Sequence, residues 1–250
     1  MIEKIKKKIY NRFFKEYQNK PVAQINYSDI QSDERKIIDE VYQFTLTSPE
    51  RIVSLIRAIK HIEKNKVEGD IVECGVWKGG SIMAGLRALN DLNSFERDIY
   101  LYDTFEGMSE PTEIDKSFKG ESASSAYLTK NEIWNRIECL SPLQEVQKNI
   151  KTINYPTEKI HFIKGKVEET IPNVIPEKIA LLRLDTDWYE STLHELECLF
   201  PRLVKGGIII IDDYGHWEGC KKAVDEYLDR NKIELFLNRI DYTCRIGVKF

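Results

Sequence analysis

The chain has 250 residues, which is enough for one α/β domain with an ample buried core. Its composition is typical of a globular protein, and its net charge of −4 argues against a nucleic-acid partner, because such proteins usually carry a basic surplus. No stretch approaches the ~20 consecutive apolar residues of a transmembrane helix. The five scattered cysteines argue against a zinc site or disulfides and favour the reducing cytoplasm.

The first residues are predicted to form a basic amphipathic helix, because apolar side chains recur there at helical spacing. Such a helix could contact an anionic membrane or a substrate carrier. A cap or a dimer contact is the simpler interpretation, and the latter would make the protein a homo-oligomer. We therefore divide the chain into a helical cap or lid region, residues 1–46, and a main domain, residues 47–250. The apolar positions of the first helix are Ile2, Ile5, Ile9, Phe13 and Tyr17.

Helices and strands alternate along the main domain. Ser48 can cap a helix that starts at Pro49, and the apolar stripe of this helix continues to Ile62. The alternation predicts a doubly wound, Rossmann-like α/β sheet of seven strands, and the short link before the last strand predicts that this strand is antiparallel. Strands are predicted at 70–74, 99–102, 159–163, 179–184, 207–211, 233–237 and 242–250, helices at 81–89, 133–150, 192–200 and 218–231, and a long connection at 105–130.

Acidic residues end or follow four of the predicted strands: Glu73, Asp103, Asp185 and Asp212. In a doubly wound sheet, ligands bind outside the carboxyl ends of the strands. The four acids are therefore predicted to surround the functional site.

The glycine-rich segment 73–81 follows the first of these strands and leads into a helix. It differs from the G-x-G-x-x-G pattern of dinucleotide sites, because Trp77 stands where a pyrophosphate needs a small residue and Glu73 would repel the phosphates. S-adenosylmethionine (SAM) has no phosphate and carries an ammonium and a sulfonium, so an acid suits it. Asp103 can bind the ribose hydroxyls of SAM or NAD, and Glu168 can border the adenine. The predicted SAM contacts are Glu73, Gly75, Trp77, Gly79, Ser81, Asp103, Thr104, Phe105, Glu168 and Asp185.

Four aspartates follow two consecutive strands, in the pairs Asp185/Asp187 and Asp212/Asp213. Two like charges ~4 Å apart repel by roughly 4 kcal/mol at an effective dielectric constant of about 20, so such a cluster needs either a raised pKa or a bound cation. Carboxylate oxygens indicate Mg²⁺, which can lower the pKa of an acceptor hydroxyl. Helix capping is the alternative, but it accounts for one of the four acids rather than all of them. His216 is either a base or substrate contact or an ordinary loop histidine.

Together these residues resemble the macrocin O-methyltransferase (TylF-type) family. The resemblance implies a class I methyltransferase fold, SAM as co-substrate and Mg²⁺ held by Asp185, Asp212 and Asp213, with Asp187 as the general base. It also implies a sugar hydroxyl as the methyl acceptor, on a natural product or a surface glycan. The segments that carry it are TSPER at 47–51, VECGVWKGGS at 72–81, YDTFEGM at 102–108, LDTDWYEST at 184–192 and DDY at 212–214.

Three alternatives remain open from the sequence. A phenol or catechol O-methyltransferase would use the same acids, a non-catalytic SAM-binding protein would not need them, and an NAD-dependent enzyme is the remotest choice. Thr186 stands where many relatives have glycine, which is expected to alter the turn. Residues 109–130 match no known pattern and are interpreted as a lid that shapes the acceptor site.

Overall fold

The computed structural model describes residues 28–250. The chain divides into two units, Met1–Arg35 and Lys36–Phe250. The predicted amphipathic helix at residues 2–17 lies outside the described residues, and the boundary predicted between residues 46 and 47 stays a prediction. None of the described helices is long and apolar enough to cross a membrane.

The unit Lys36–Phe250 is built on a mixed seven-stranded sheet with the strand order β3-β2-β1-β4-β5-β7-β6. Strands β1 to β5 pair in parallel, and β7 runs antiparallel to both of its neighbours. The predicted sheet and its antiparallel ending are confirmed. The strands are β1 Asp70–Cys74, β2 Ile99–Asp103, β3 Ile160–Lys164, β4 Ile179–Leu184, β5 Leu203–Ile211, β6 Asn238–Arg239 and β7 Arg245–Val248.

Helices connect the parallel strands, as a doubly wound sheet requires. The helix predicted after Ser48 forms as expected, with Pro49 in its first turn and the Ser48 hydroxyl accepting a hydrogen bond from the Arg51 amide. In the described part of the chain, the α-helices are α1 Ser32–Val41, α2 Pro49–Lys64, α3 Gly80–Asp91, α4 Ala123–Thr129, α5 Glu132–Ile137, α6 Leu143–Ile150, α7 Val167–Thr170, α8 Tyr189–Leu199 and α9 Glu218–Arg230.

The core lies on both faces of the central strands. Every residue of β4 is buried, and so are the last five residues of β5. This double coverage explains the unbroken apolar character of both strands, since a parallel strand between two helical layers has no solvent face.

Two predicted elements differ from the structure. The single helix expected over 133–150 is divided into α5 and α6, because Cys139 adopts a left-handed conformation (φ 48°) and Pro142 cannot continue a helix. The strand expected at 233–237 forms instead at Asn238–Arg239, and the last strand is shorter than expected. The long connection contains α4, which its small polar residues did not indicate.

The strand register brings the predicted site together. Cys74, the last residue of β1, pairs with Tyr102 on one side and Leu184 on the other, and Leu184 pairs with Ile211. The residues that follow these positions therefore emerge at one edge of the sheet. That edge carries Asp103, Asp185, Asp212 and Asp213.

Candidate active site

The glycine-rich segment Glu73 to Ser81, called the donor turn below, joins β1 to α3. Gly75 has a φ of 82°, in the left-handed region that glycine tolerates best. A Cβ on Gly75 would lie 2.0 Å from the carbonyl oxygen of Asp185, so only glycine fits this close approach. The donor turn and the carboxyl end of β4 are thus in direct contact.

Gly75→Ala is expected to weaken cofactor binding about tenfold or more, because the Cβ would overlap the Asp185 carbonyl oxygen and the donor turn must move away from its binding position. Isothermal titration with S-adenosylhomocysteine (SAH) measures this. Gly85→Ala is the matched control, since Gly85 lies inside α3 and a Cβ there makes only ordinary contacts at 3.8 Å. Equal SAH affinity in both variants would contradict the role given to Gly75.

Asp103 organises the donor turn from the end of β2. Its Oδ2 accepts hydrogen bonds from the amides of Val76 (2.7 Å) and Trp77 (3.0 Å), and its Oδ1 accepts one from the Phe105 amide (2.6 Å). Each carboxylate oxygen has two lone pairs, so these three bonds leave one acceptor site, on Oδ1, for a ribose hydroxyl. The ribose role of Asp103 stays a prediction.

Trp77, Thr104 and Phe105 lie in the two turns beside Asp103. Trp77 is half-buried with a positive φ, and the Thr104 hydroxyl donates to the Gly107 carbonyl. The Phe105 ring is buried and lies 6.3 Å from the Phe162 ring, measured between centroids. Trp77 thus belongs to the donor turn, Thr104 and Phe105 lie beside it, and the contacts of all three with a cofactor stay predictions.

The remaining predicted cofactor residues occupy three places. Gly79, with a φ of 89°, precedes the first turn of α3. The buried Ser81 hydroxyl lies 3.3 Å from the Thr47 hydroxyl, within a small polar cluster at the start of α3. Glu168 lies on α7 and accepts a hydrogen bond from the Ser191 hydroxyl at 2.7 Å.

Arg183 connects the donor turn to the ends of β4 and β5. Its Nη1 lies 2.6 Å from Oε1 of Glu73 and 2.8 Å from Oδ2 of Asp185, and its Nη2 donates to Oδ1 of Asp212 at 2.7 Å. The Arg183 side chain is only 3% exposed. Burial raises the pKa of Glu73 to about 7, although the Arg183 guanidinium favours its charged form. The buried Arg183 guanidinium thus forms ion pairs with the carboxylates of Glu73, Asp185 and Asp212.

Asp212 is held by a second arginine as well. Its Oδ2 pairs with Arg51, which also binds Asp241 through Nε at 2.9 Å. Burial opposes ionisation of Asp212, but the two guanidiniums outweigh it and lower the pKa of this carboxyl. Both oxygens of Asp212, a predicted metal ligand, are therefore engaged by arginines in this structure.

The carboxylates that do converge are Asp185, Asp187 and Asp213, called the acid cluster below. Each offers an oxygen within 4.8 Å of the other two, and all three residues are half-buried. Burial raises the pKa of each carboxyl, to about 7 for Asp187 and well above the usual range for Asp185 and Asp213. Among the described residues, no donor reaches Oδ2 of Asp213. Three close carboxylates with an unpartnered oxygen fit a hard divalent cation.

Asp187 lies in a tight turn with a φ of 68°, a conformation that non-glycine residues seldom adopt. The side chain of Trp217 lies close to its carboxylate and lowers its pKa, against the effect of burial. The neighbouring Thr186 directs its hydroxyl to Glu195 (3.1 Å) and leaves the acid cluster undisturbed. The threonine at this position therefore does not displace the acids.

The family model for macrocin O-methyltransferases (TylF) matches residues 2–247. The chain belongs to this family. It is 33% identical over 202 residues to 8-demethyl-8-(2,3-dimethoxy-alpha-L-rhamnosyl)-tetracenomycin-C 4'-O-methyltransferase of Streptomyces olivaceus, covering 80% of this chain and 73% of that protein. It is 30% identical over 197 residues to mycinamicin III 3''-O-methyltransferase of Micromonospora griseorubida, covering 79% and 75%.

Solved structures agree with this membership of the TylF family. The O-methyltransferase NovP superposes with a TM-score of 0.72 at 28% identity, over 82% of each chain. The protein is thus an O-methyltransferase with the class I fold and SAM as methyl donor.

The sequence did not identify two arginines of the TylF-family site. Arg183 is the one charged residue within the apolar strand β4, and a lone cation in a doubly covered strand signals a buried ion pair. Arg51 falls in the TSPER segment, but nothing local indicates that it reaches Asp212 across the fold.

Proposed function

We propose that this protein transfers a methyl group from SAM to a sugar hydroxyl of a glycosylated natural product, at a divalent cation held by the acid cluster. The main support for this proposal is the contact between the donor turn and the acid cluster, where Gly75 packs against the backbone of Asp185. A methyl donor on one side and an activated hydroxyl on the other would then face each other across that contact.

The acceptor class is supported by the relatives in the family. One is named for a rhamnosyl group on tetracenomycin and the other for the 3'' position of mycinamicin. These names favour a sugar-containing acceptor over a phenol or catechol. The free thiols of all five cysteines are compatible with the cytoplasmic location that we also propose.

The proposed cation is Mg²⁺, with Asp185 and Asp213 as the ligands that both the sequence and the geometry favour. Asp212, the third ligand implied by the family resemblance, is paired with two arginines in this structure. A bound Mg²⁺ would neutralise part of the cluster charge and lower the pKa of a coordinated hydroxyl.

Asp187 is the proposed general base. Burial raises the pKa of its carboxyl to about 7, and a carboxylate with a raised pKa is the stronger base. The acceptor hydroxyl would give its proton to Asp187 as its oxygen attacks the methyl carbon. The carbon–sulfur bond of SAM would break in the same step as the oxygen–carbon bond forms, its electron pair would pass to sulfur, and neutral SAH would leave. The tight turn that contains Asp187 would hold the base in a fixed position relative to SAM, which lowers the entropy cost of the reaction.

Removal of divalent ions with EDTA and gel filtration is expected to reduce methyl transfer to background, and MgCl₂ is expected to restore it. The assay uses SAM with 4-nitrophenyl α-L-rhamnopyranoside, whose phenol oxygen is blocked, beside 4-nitrocatechol, which has no sugar. Mass spectrometry of the products shows which ring carries the new methyl group.

The outcomes separate the parts of the proposal. Activity that survives complete metal removal contradicts the cation. Methylation of the catechol together with an unchanged rhamnoside contradicts the sugar acceptor. SAH binding persists in either case, because it depends on the donor turn.

A further inference from the structure

Asp115 is a buried acid that the proposed chemistry does not use. It belongs to residues 104–122 between β2 and α4, called the β2–α4 loop below, and its side chain is fully buried. Its Oδ2 accepts hydrogen bonds from the Thr112 amide at 2.7 Å and from the Thr112 hydroxyl at 2.8 Å. Its Oδ1 accepts one from the Tyr189 amide at 2.9 Å. Asp115 thus joins this loop to the first residue of α8.

Asp115 also lies against the start of α9. A Cβ on Gly219, the second residue of α9, would lie 2.0 Å from Oδ1 of Asp115, so glycine is what permits this close approach. The amino-terminal ends of α8 and α9 therefore meet at one carboxylate oxygen. The amino-terminal end of a helix carries a partial positive charge, which favours a buried carboxylate at this place.

These two helices begin shortly after the turns that carry the acid cluster. Asp187 precedes Tyr189, the first residue of α8, by two positions. Asp213 precedes Glu218, the first residue of α9, by five positions. A displacement of either helix start would therefore move a carboxylate of the acid cluster.

Further hydrogen bonds join the β2–α4 loop to the same two helix starts. The Trp188 indole donates to the Ser109 carbonyl at 3.0 Å, next to α8. The Glu218 amide, in the first turn of α9, donates to the Lys116 carbonyl at 2.8 Å. Asp115 lies between these two contacts along the loop, and its carboxylate reaches both helices. In this structure the loop is thus a fixed wall beside the acid cluster.

We propose that Asp115 is a positioning residue for methyl transfer: through the Tyr189 amide, its carboxylate holds the turn that carries the proposed base, Asp187. This inference rests on the proposed function and adds to it a residue that acts through the backbone. The positive φ of Asp187 is a conformation that the residue does not favour by itself, so contacts on its neighbours must maintain it. A shift of about 1 Å at a reacting group can cost roughly 10²-fold in rate.

Asp115→Ala is expected to lower the single-turnover rate of methyl transfer roughly 10- to 100-fold, while SAH affinity stays within about twofold of the wild type. Asp115→Asn keeps the size of the side chain and an oxygen for the Tyr189 amide, so it should restore most of the lost rate. Glu110→Ala is the matched control, because Glu110 is an exposed acid of the same loop. The rate is measured with SAM, Mg²⁺ and the rhamnoside described above, and isothermal titration measures SAH affinity.

A second pair of variants tests the route through the backbone. Tyr189→Pro removes the amide hydrogen that Asp115 accepts, and the first position of a helix otherwise tolerates proline. Trp188 already has the extended backbone (φ −88°, ψ 154°) that suits a residue before proline. Tyr189→Ala loses the same side chain but keeps the amide. Tyr189→Pro should therefore be roughly 10- to 100-fold slower than Tyr189→Ala.

Hydrogen–deuterium exchange of the free protein gives a measurement that needs no acceptor. In Asp115→Ala, the amides of residues 185–192 should exchange roughly tenfold faster than in the wild type and in Glu110→Ala. Exchange at the wild-type rate would overturn the role of Asp115.

The kinetic results can also overturn this role. It fails if Asp115→Ala keeps the wild-type rate, if Asp115→Asn is as slow as Asp115→Ala, or if Tyr189→Pro and Tyr189→Ala are equally fast. Loss of SAH affinity together with the rate would show a general structural role in place of a positioning one. If the wild type methylates neither the rhamnoside nor 4-nitrocatechol, the proposed function fails, and the exchange measurement still decides whether Asp115 holds the turn.

Discussion

Asp187→Asn is expected to lower kcat by roughly 10²–10⁴-fold, the contribution of a positioned general base, while SAH and Mg²⁺ affinities stay close to those of the wild type. The amide keeps the size of the side chain and the Trp217 contact but cannot accept the proton of the acceptor. Single-turnover methyl transfer measures the chemical step, and titration calorimetry measures both affinities.

Asp98→Asn provides the control, because Asp98 lies just before β2, at the opposite edge of the sheet, where it pairs with Lys159 and His161. It should keep wild-type kcat. The calorimetry also separates two roles for Asp187, which lies within the acid cluster. A loss of Mg²⁺ affinity in Asp187→Asn would reassign this residue as a metal ligand, and undiminished turnover would remove it from the mechanism altogether.

Arg183→Met is expected to lower the free energy of unfolding by roughly 3–5 kcal/mol, the usual cost of removing one partner from a buried ion pair. The substitution would leave Glu73, Asp185 and Asp212 crowded at one edge of the sheet without the cation that they share. Urea denaturation without divalent ions or SAH gives the measurement.

Two further variants serve as controls for the effect of Arg183→Met on stability. Arg183→Lys keeps the positive charge but loses the two-pronged geometry, so its stability should fall between those of Arg183→Met and the wild type. Arg230→Met removes an exposed arginine that pairs with Glu197, and a surface change of this kind should alter stability by no more than about 0.5 kcal/mol. If Arg183→Met unfolds at the same urea concentration as Arg230→Met, the three carboxylates do not depend on Arg183.

The sheet could be predicted because its signals are local. Apolar runs such as 207–211, glycine at the strand ends and helix caps such as Ser48 each specify their own element. The position of the acids followed as well, since parallel strands place their carboxyl ends at one edge. The sequence predicted one helix over 133–150, because the apolar residues there keep helical spacing. Pro142 signals the division of this helix, but the apolar spacing was the stronger pattern.

The partners of the acids could not be predicted, because they depend on contacts between distant parts of the chain. Asp212 pairs with Arg51, which is 161 residues away in the sequence, and Glu73 pairs with Arg183, which is 110 residues away. The aspartates at 212 and 213 look alike in sequence. Only the fold shows that Asp212 is paired with two arginines and that Asp213 belongs to the acid cluster.

The strand order also bears on how acceptor preference can diverge among relatives. The donor turn and Asp103 belong to β1 and β2, whereas the acid cluster follows β4 and β5, and residues 104–122 form a long loop between β2 and α4. Replacement of that loop would leave the strands of the sheet as they are. One scaffold can thus inherit its methyl-donor half unchanged while exchanged loops adapt it to hydroxyls on new molecules.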